Sequence, residues 1–119
     1  MAEPPTIDVP DQDDHVRDLF DRMTRAYLRS VLSDELIAEH ARGDHGHVSE
    51  PLARLLAWCH RRPRQQQYAV KAEADGSFRL IRFAGRGQKP VYVGDERFVT
   101  LQAARHGAFL RHVQDLTEK

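Results

Sequence analysis

The sequence predicts an α+β domain: a helical N-terminal half, a small antiparallel β-hairpin or three-stranded sheet, and an amphipathic C-terminal helix. Three observations carry this. Apolar residues recur every three or four positions through the first half. The period drops to two around Tyr68–Phe83, on both sides of an Asp75-Gly76 pair. A three-to-four period then returns after Thr100. A helix repeats every 3.6 residues and a strand every two, so the period reports the element.

Met1–Gln12 carries Pro4, Pro5 and Pro10 and little apolar content. It reads as a flexible acidic, proline-rich arm, and residues 13–119 as a single domain. From Asp13 the helical period begins, with Val16, Leu19, Phe20, Met23, Tyr27 and Val31 on one side. Asp13, Asp14 and Asp18 favour the positive end of that helix. Ser33 reads as a fresh N-cap before Leu36 and Ile37, which predicts a bend near Leu32–Ser33 rather than one long helix.

Arg42–Val48 is a loop by composition, with Gly43, Asp44 and Gly46 inside it. Ser49 caps the next helix and Pro51 sits in its first turn, where a missing N–H costs nothing. Leu52, Leu55, Leu56 and Cys59 form its apolar face, and Pro63 stops it. Gln67–Glu73 alternates as a strand, Asp75-Gly76 predicts a tight hairpin turn, and Phe78–Phe83 returns as the second strand. Gly85-Arg86-Gly87 is a turn, and Pro90–Val93 a short edge strand. Gly94–Val99 leads to Thr100, the N-cap of a helix through Leu116. Its predicted core face is Leu101, Phe109, Val113 and Leu116, with Ala104 and Ala108 alongside.

Formal net charge is zero but unevenly placed. Residues 1–50 hold 12 acidic and 5 basic side chains, and residues 51–119 hold 6 and 13. The halves therefore face each other or face different partners. A mean hydropathy of -0.63 leaves no apolar run for a membrane span. The N-terminus is acidic, unlike a secretory leader. A lone cysteine, Cys59, fits a reducing cytoplasm and reads as a buried inert thiol.

The chemical candidates are few. His40, His45 and His47 cluster near a glycine-rich loop, too loosely held for a preformed metal site. Arg61, Arg62 and Arg64 make a basic turn that could touch phosphates. A sequence pI of about 7.1 argues against nucleic acid as the partner. Gly85-Arg86-Gly87 lacks the Lys-Ser/Thr ending of a phosphate loop. No nucleophile–base pair or apolar carboxylate pair is recognisable.

The second half resembles the small subunit of the N,N-dimethylformamidase family. The residues that carry this are a leucine-rich helix ending in Arg61-Arg62-Pro63, the Tyr68–Val70 strand and the Arg79–Phe83 strand. The Ala84–Gly87 turn, the Gly94–Phe98 turn and the Ala104–Leu116 helix complete it. Two positions depart from the pattern: Gln66-Gln67 replaces a glycine-lysine, and His112 replaces a second arginine. The resemblance implies an accessory subunit of an amidohydrolase that cleaves small N-substituted amides. It implies a large catalytic partner holding the iron, with no catalytic residue, cofactor or metal ligand in this chain. Arg79, Arg82, Arg86, Tyr92, Arg97, Phe98 and Arg111 are the expected contacts with that partner, since arginine and tyrosine anchor interfaces well. A second reading is a small nucleic-acid-binding or regulatory module built on Arg61–Arg64.

Overall fold

The computed structural model describes residues 8–43 and 47–118, apart from the side chains of residues 8–14. The element order is α1 (Asp8–Val31), α2 (Asp34–Ala41), α3 (Glu50–Arg61), β1 (Tyr68–Ala72), β2 (Phe78–Arg82), β3 (Val91–Tyr92) and α4 (Leu101–Thr117). This is the α+β arrangement that the change of period predicts. The chain divides into two compact units, residues 1–31 and 32–119, each described by itself.

The first unit is α1. It begins at Asp8, not at Asp13 as the apolar period suggests. Pro10 is therefore inside the helix, but in its first turn, where backbone N–H groups have no partner to lose. The helix breaks at the expected place, near Leu32–Ser33: α1 ends at Val31 and α2 starts at Asp34.

The second unit holds a three-stranded antiparallel sheet in the order β1-β2-β3. Tyr68 pairs with Arg82, Val70 with Leu80 and Ala72 with Phe78. Ile81 pairs with Tyr92. Such a sheet needs a helix on one face, and α4 supplies it against β1 and β2. Packing beside α4 is α2, and α3 lies against α2. The core contains Leu52, Leu55, Trp58 and Cys59 from α3, Leu80 from β2, and Ala104, Phe109, Val113 and Leu116 from α4.

All three serine and threonine caps form as the sequence suggests. Ser33 accepts from the Leu36 N–H at 3.1 Å, Ser49 from Leu52 at 3.4 Å and Thr100 from Ala103 at 3.0 Å. Each satisfies a donor that the first helical turn leaves open. Glu39 of α2 then accepts from both the backbone N–H and the hydroxyl of Ser49, at 2.6 and 2.7 Å. The cap of α3 is thereby tied to α2, and these bonds hold the Glu39 carboxyl below its ordinary pKa.

The hairpin is wider than a two-residue turn. Gly76 N–H donates to Glu73 O at 3.0 Å, and Glu73 N–H to Ser77 O at 2.8 Å. Gly76 has φ +90, so it takes the left-handed position that closes a three-residue loop. Asp75 instead accepts from the Ser77 N–H and hydroxyl, at 2.9 and 2.6 Å.

Two further expectations change. Leu101 stays 40% exposed, because the core stripe of α4 starts at Ala104. Phe98 belongs to the sheet. Its N–H and C=O both pair with Phe78, at 2.8 and 2.9 Å. Its ring lies over Gly107 of α4, where an added Cβ would sit 2.6 Å from the ring edge. Gly107 is thus a point of close approach between helix and sheet margin, where a larger side chain would displace the Phe98 ring.

Phe109 is 4% exposed and its ring stacks on His40 of α2 at 3.9 Å. Truncating a buried phenylalanine costs about 3–5 kcal/mol, against about 5–15 kcal/mol for a whole domain. Phe109→Ala should therefore unfold the second unit or leave it marginal in thermal melts. Leu101→Ala should melt within a few degrees of the parent.

Candidate functional site: an open sheet face backed by a buried polar node

Side chains alternate across a strand, so β1 and β2 present two distinct faces. Tyr68, Val70 and Leu80 point toward α4. Lys71, Arg79 and Tyr92 point away from it, onto a face that α4 does not cover.

That open face is cross-linked. The Lys71 ammonium donates to the Tyr92 hydroxyl and to Glu73 Oε2, both at 2.9 Å. The Arg79 guanidinium lies 4.0 Å from the Tyr92 ring centroid and donates to Gly94 O at 2.8 Å. Its side chain is only 16% exposed, and its Nε is buried with no hydrogen-bond partner. Arg97 reaches Asp75 at 3.4 Å and Glu73 at 4.0 Å. The Tyr92 and Glu73 contacts hold Lys71 above its usual pKa. The Lys71 hydrogen bond, chiefly, holds Glu73 below its own.

Of the seven expected contact residues, the fold brings Arg79, Tyr92 and Arg97 together here. The other four are elsewhere. Arg82 alternates onto the α4 side of β2 and is exposed. Arg86 is exposed on the turn after β2. Phe98 is half-buried against Gly107. Arg111 of α4 pairs with Glu96 at 3.6 Å, which ties the Gly94–Phe98 turn to the helix.

Behind the sheet lies a polar node that local spacing gives no sign of. Arg62 turns inward from the end of α3. Its Nη1 donates to Asp115 Oδ2 at 3.0 Å and to His112 Nδ1 at 2.8 Å. Tyr68 of β1 donates to the same Asp115 oxygen at 2.7 Å, and its ring meets the His112 ring edge-on at 4.9 Å. The Arg62 guanidinium lies 4.9 Å from the Trp58 ring. Burial, then the Asp115 bond, pushes Tyr68 up to about 12. His112 is 5% exposed. Burial first, and the Arg62 charge second, push it down to about 4. A neutral imidazole is what the geometry requires, because Nδ1 accepts from a guanidinium.

The basic turn is accordingly split up. Arg62 is 8% exposed in its ion pair, and Arg64 lies over the Phe83 ring at 4.7 Å. Arg61 is exposed. Cys59 is buried, and burial pushes its thiol up to about 12, so it is a poor nucleophile.

His45 lies outside the described residues. His40 points instead at His106 of α4, with Nδ1–Nδ1 at 2.9 Å and ring centroids 5.2 Å apart. That centroid distance places the two rings edge to edge with one hydrogen bond between them. Among the described residues no three histidine, cysteine or carboxylate side chains converge as a metal site would need. Nor is any described helix long and apolar enough to cross a membrane.

His112 couples this node to pH. Its folded pKa, about 4, lies below the ordinary histidine value of about 6.5. The unfolded chain therefore binds the extra proton first as pH falls. Stability from this group is complete above about 6.5 and is lost on going down toward 4, by an amount on the order of 3 kcal/mol. Urea melts between pH 7 and 5 should show the parent weakening, while His112→Gln shows a flatter profile over the same range.

The chain matches the family described as "N,N-dimethylformamidase alpha subunit" over residues 15–119. A protein of that name from Paracoccus aminophilus is 27% identical over 113 residues, covering 90% of this chain and 79% of that protein. Another, from an Alcaligenes species, is 27% identical over 103 residues, covering 82% of this chain and 77% of that protein.

Proposed function

This chain belongs to the N,N-dimethylformamidase alpha-subunit family, and from that premise we propose that it is the non-catalytic, accessory subunit of an amidohydrolase complex. The relatives' names mark them as alpha subunits, a term for one chain among several in an enzyme. In this reading a larger chain carries the iron and the hydrolysis of small N-substituted amides. The alpha chain packs on it in the cytoplasm.

The single observation that carries the reading is where the polar chemistry sits. Arg62, Tyr68, His112 and Asp115 are committed to one another inside the fold. Arg79 and Tyr92, by contrast, are held in fixed positions on a sheet face that no helix of this unit covers. A preorganised arginine–tyrosine pair loses little side-chain entropy on docking, which suits an interface anchor. The nucleic-acid alternative is less well supported, since Arg62, the middle of its basic turn, is buried in an ion pair with Asp115.

Co-purification with the catalytic chain tests this. Arg79→Glu combined with Tyr92→Ala should weaken association at least about 30-fold, the scale of one interface hot spot. Unchanged capture by that variant would remove the sheet face from the interface. Amide hydrolysis by the rigorously purified alpha chain alone would refute the accessory role.

A further inference from the structure

We propose that α1 pairs with the α1 of a second copy of this chain, antiparallel, about a two-fold axis passing between Asp21 and Arg22. The first ground is an apolar stripe. Val16 is 60% exposed, Leu19 48%, Phe20 68%, Met23 63% and Tyr27 40%. These five residues share one side of a 24-residue helix. A soluble chain rarely leaves a contiguous apolar stripe of this kind in water, and single helices owe most of their stability to burying one.

The second ground identifies the occupant. Charge in α1 is segregated along its length. Asp8–Asp21 contains six aspartates and one arginine, while the remainder, through Val31, contains three arginines and no acid. Parallel pairing of two copies would set the acidic ends together. Antiparallel pairing sets each acidic end against a basic one.

The third ground is register. About the proposed axis, Val16 falls opposite Tyr27 and Phe20 opposite Met23, so large apolar groups meet along the stripe. The same axis sets Asp14 at the level of Arg29 and Asp18 at the level of Arg25. A two-fold interface must be self-complementary in this way. The ion pairs Asp18–Arg22 at 2.7 Å and Asp21–Arg25 at 3.0 Å lie within the helix. The central charges are thereby largely neutralised. The stripe supplies the affinity, and the charged ends select the orientation.

Sedimentation equilibrium of the full chain at tens of micromolar should give twice the 13.7 kDa chain mass. Phe20→Glu and, separately, Met23→Glu should halve that mass with unchanged circular dichroism, because both side chains are exposed. Orientation is read by oxidative cross-linking, with buried Cys59 as an inert background. A mixture of Val16→Cys and Tyr27→Cys chains should form a mixed disulfide dimer, and Val16→Cys alone should not. A monomeric parent, or efficient cross-linking of Val16→Cys alone, would overturn the proposal. So would a parent that is monomeric alone and whose Phe20→Glu variant loses capture of the catalytic chain, because the stripe would then belong to that chain. The accessory role is read separately, from Arg79 and Tyr92, and stands or falls on its own.

Discussion

Arg62 leaves the end of α3 and buries its guanidinium among Trp58, His112 and Asp115. Three elements depend on that one cation: α3, whose C-terminal end it extends, β1 through Tyr68 and Asp115, and α4 through His112 and Asp115. Taking a guanidinium and a carboxylate out of water is costly, and the cost is offset only when further hydrogen bonds satisfy both groups. Asp115 receives two donors on one oxygen. Arg62 gives to a carboxylate, an imidazole and Gln66. Its Nε is left without a partner. The arrangement fixes the rotation of α4 over the sheet, since only one rotation brings His112 and Asp115 to Arg62 while burying Phe109, Val113 and Leu116.

That constraint divides the polar residues into two groups. One group is used up in holding the second unit together. The other, around Arg79 and Tyr92, stands on the opposite side of the same sheet and borrows its rigidity. A strand pinned from behind by Tyr68 presents Lys71 in front at a fixed height. Under the accessory role proposed above this division has a meaning, because such a chain would need a firm surface more than a reactive centre. The pH response of His112 belongs to the same picture. It reports on the packing of the unit.

Much of the fold is legible in the sequence, because its signals are local. Ser33, Ser49 and Thr100 each announce a helix with one hydroxyl and the N–H three residues on. The shift of period at Tyr68 and Gly76 at positive φ mark the hairpin. The polar node is not legible, because its partners are about fifty residues apart. Arg62 reads as one more charge in a basic turn, and His112 as a mere departure from an arginine. Nothing in either neighbourhood tells that they meet at 2.8 Å. The setting of Phe98 is hidden for a similar reason: its bridge to Phe78 and its seat on Gly107 of α4 are both tertiary. The clustering of Arg79, Tyr92 and Arg97 is half-visible, through strand alternation, but their bonds to Gly94, Lys71 and Asp75 are tertiary.

The claim that Arg62 and Asp115 form the joint of the second unit is tested most directly by a double-mutant cycle. Arg62→Leu and Asp115→Leu would be measured singly and together by urea unfolding at pH 7. Asp115→Leu leaves the buried Arg62 guanidinium without its carboxylate and should cost about 3–5 kcal/mol. Arg62→Leu leaves a carboxylate that is 29% exposed and still bonded to Tyr68, and should cost about 1–3 kcal/mol. The double variant should cost less than the sum of the two by about 0.5–3 kcal/mol, the coupling expected of residues in one network. Additive losses, or single losses below about 1 kcal/mol, would contradict the account.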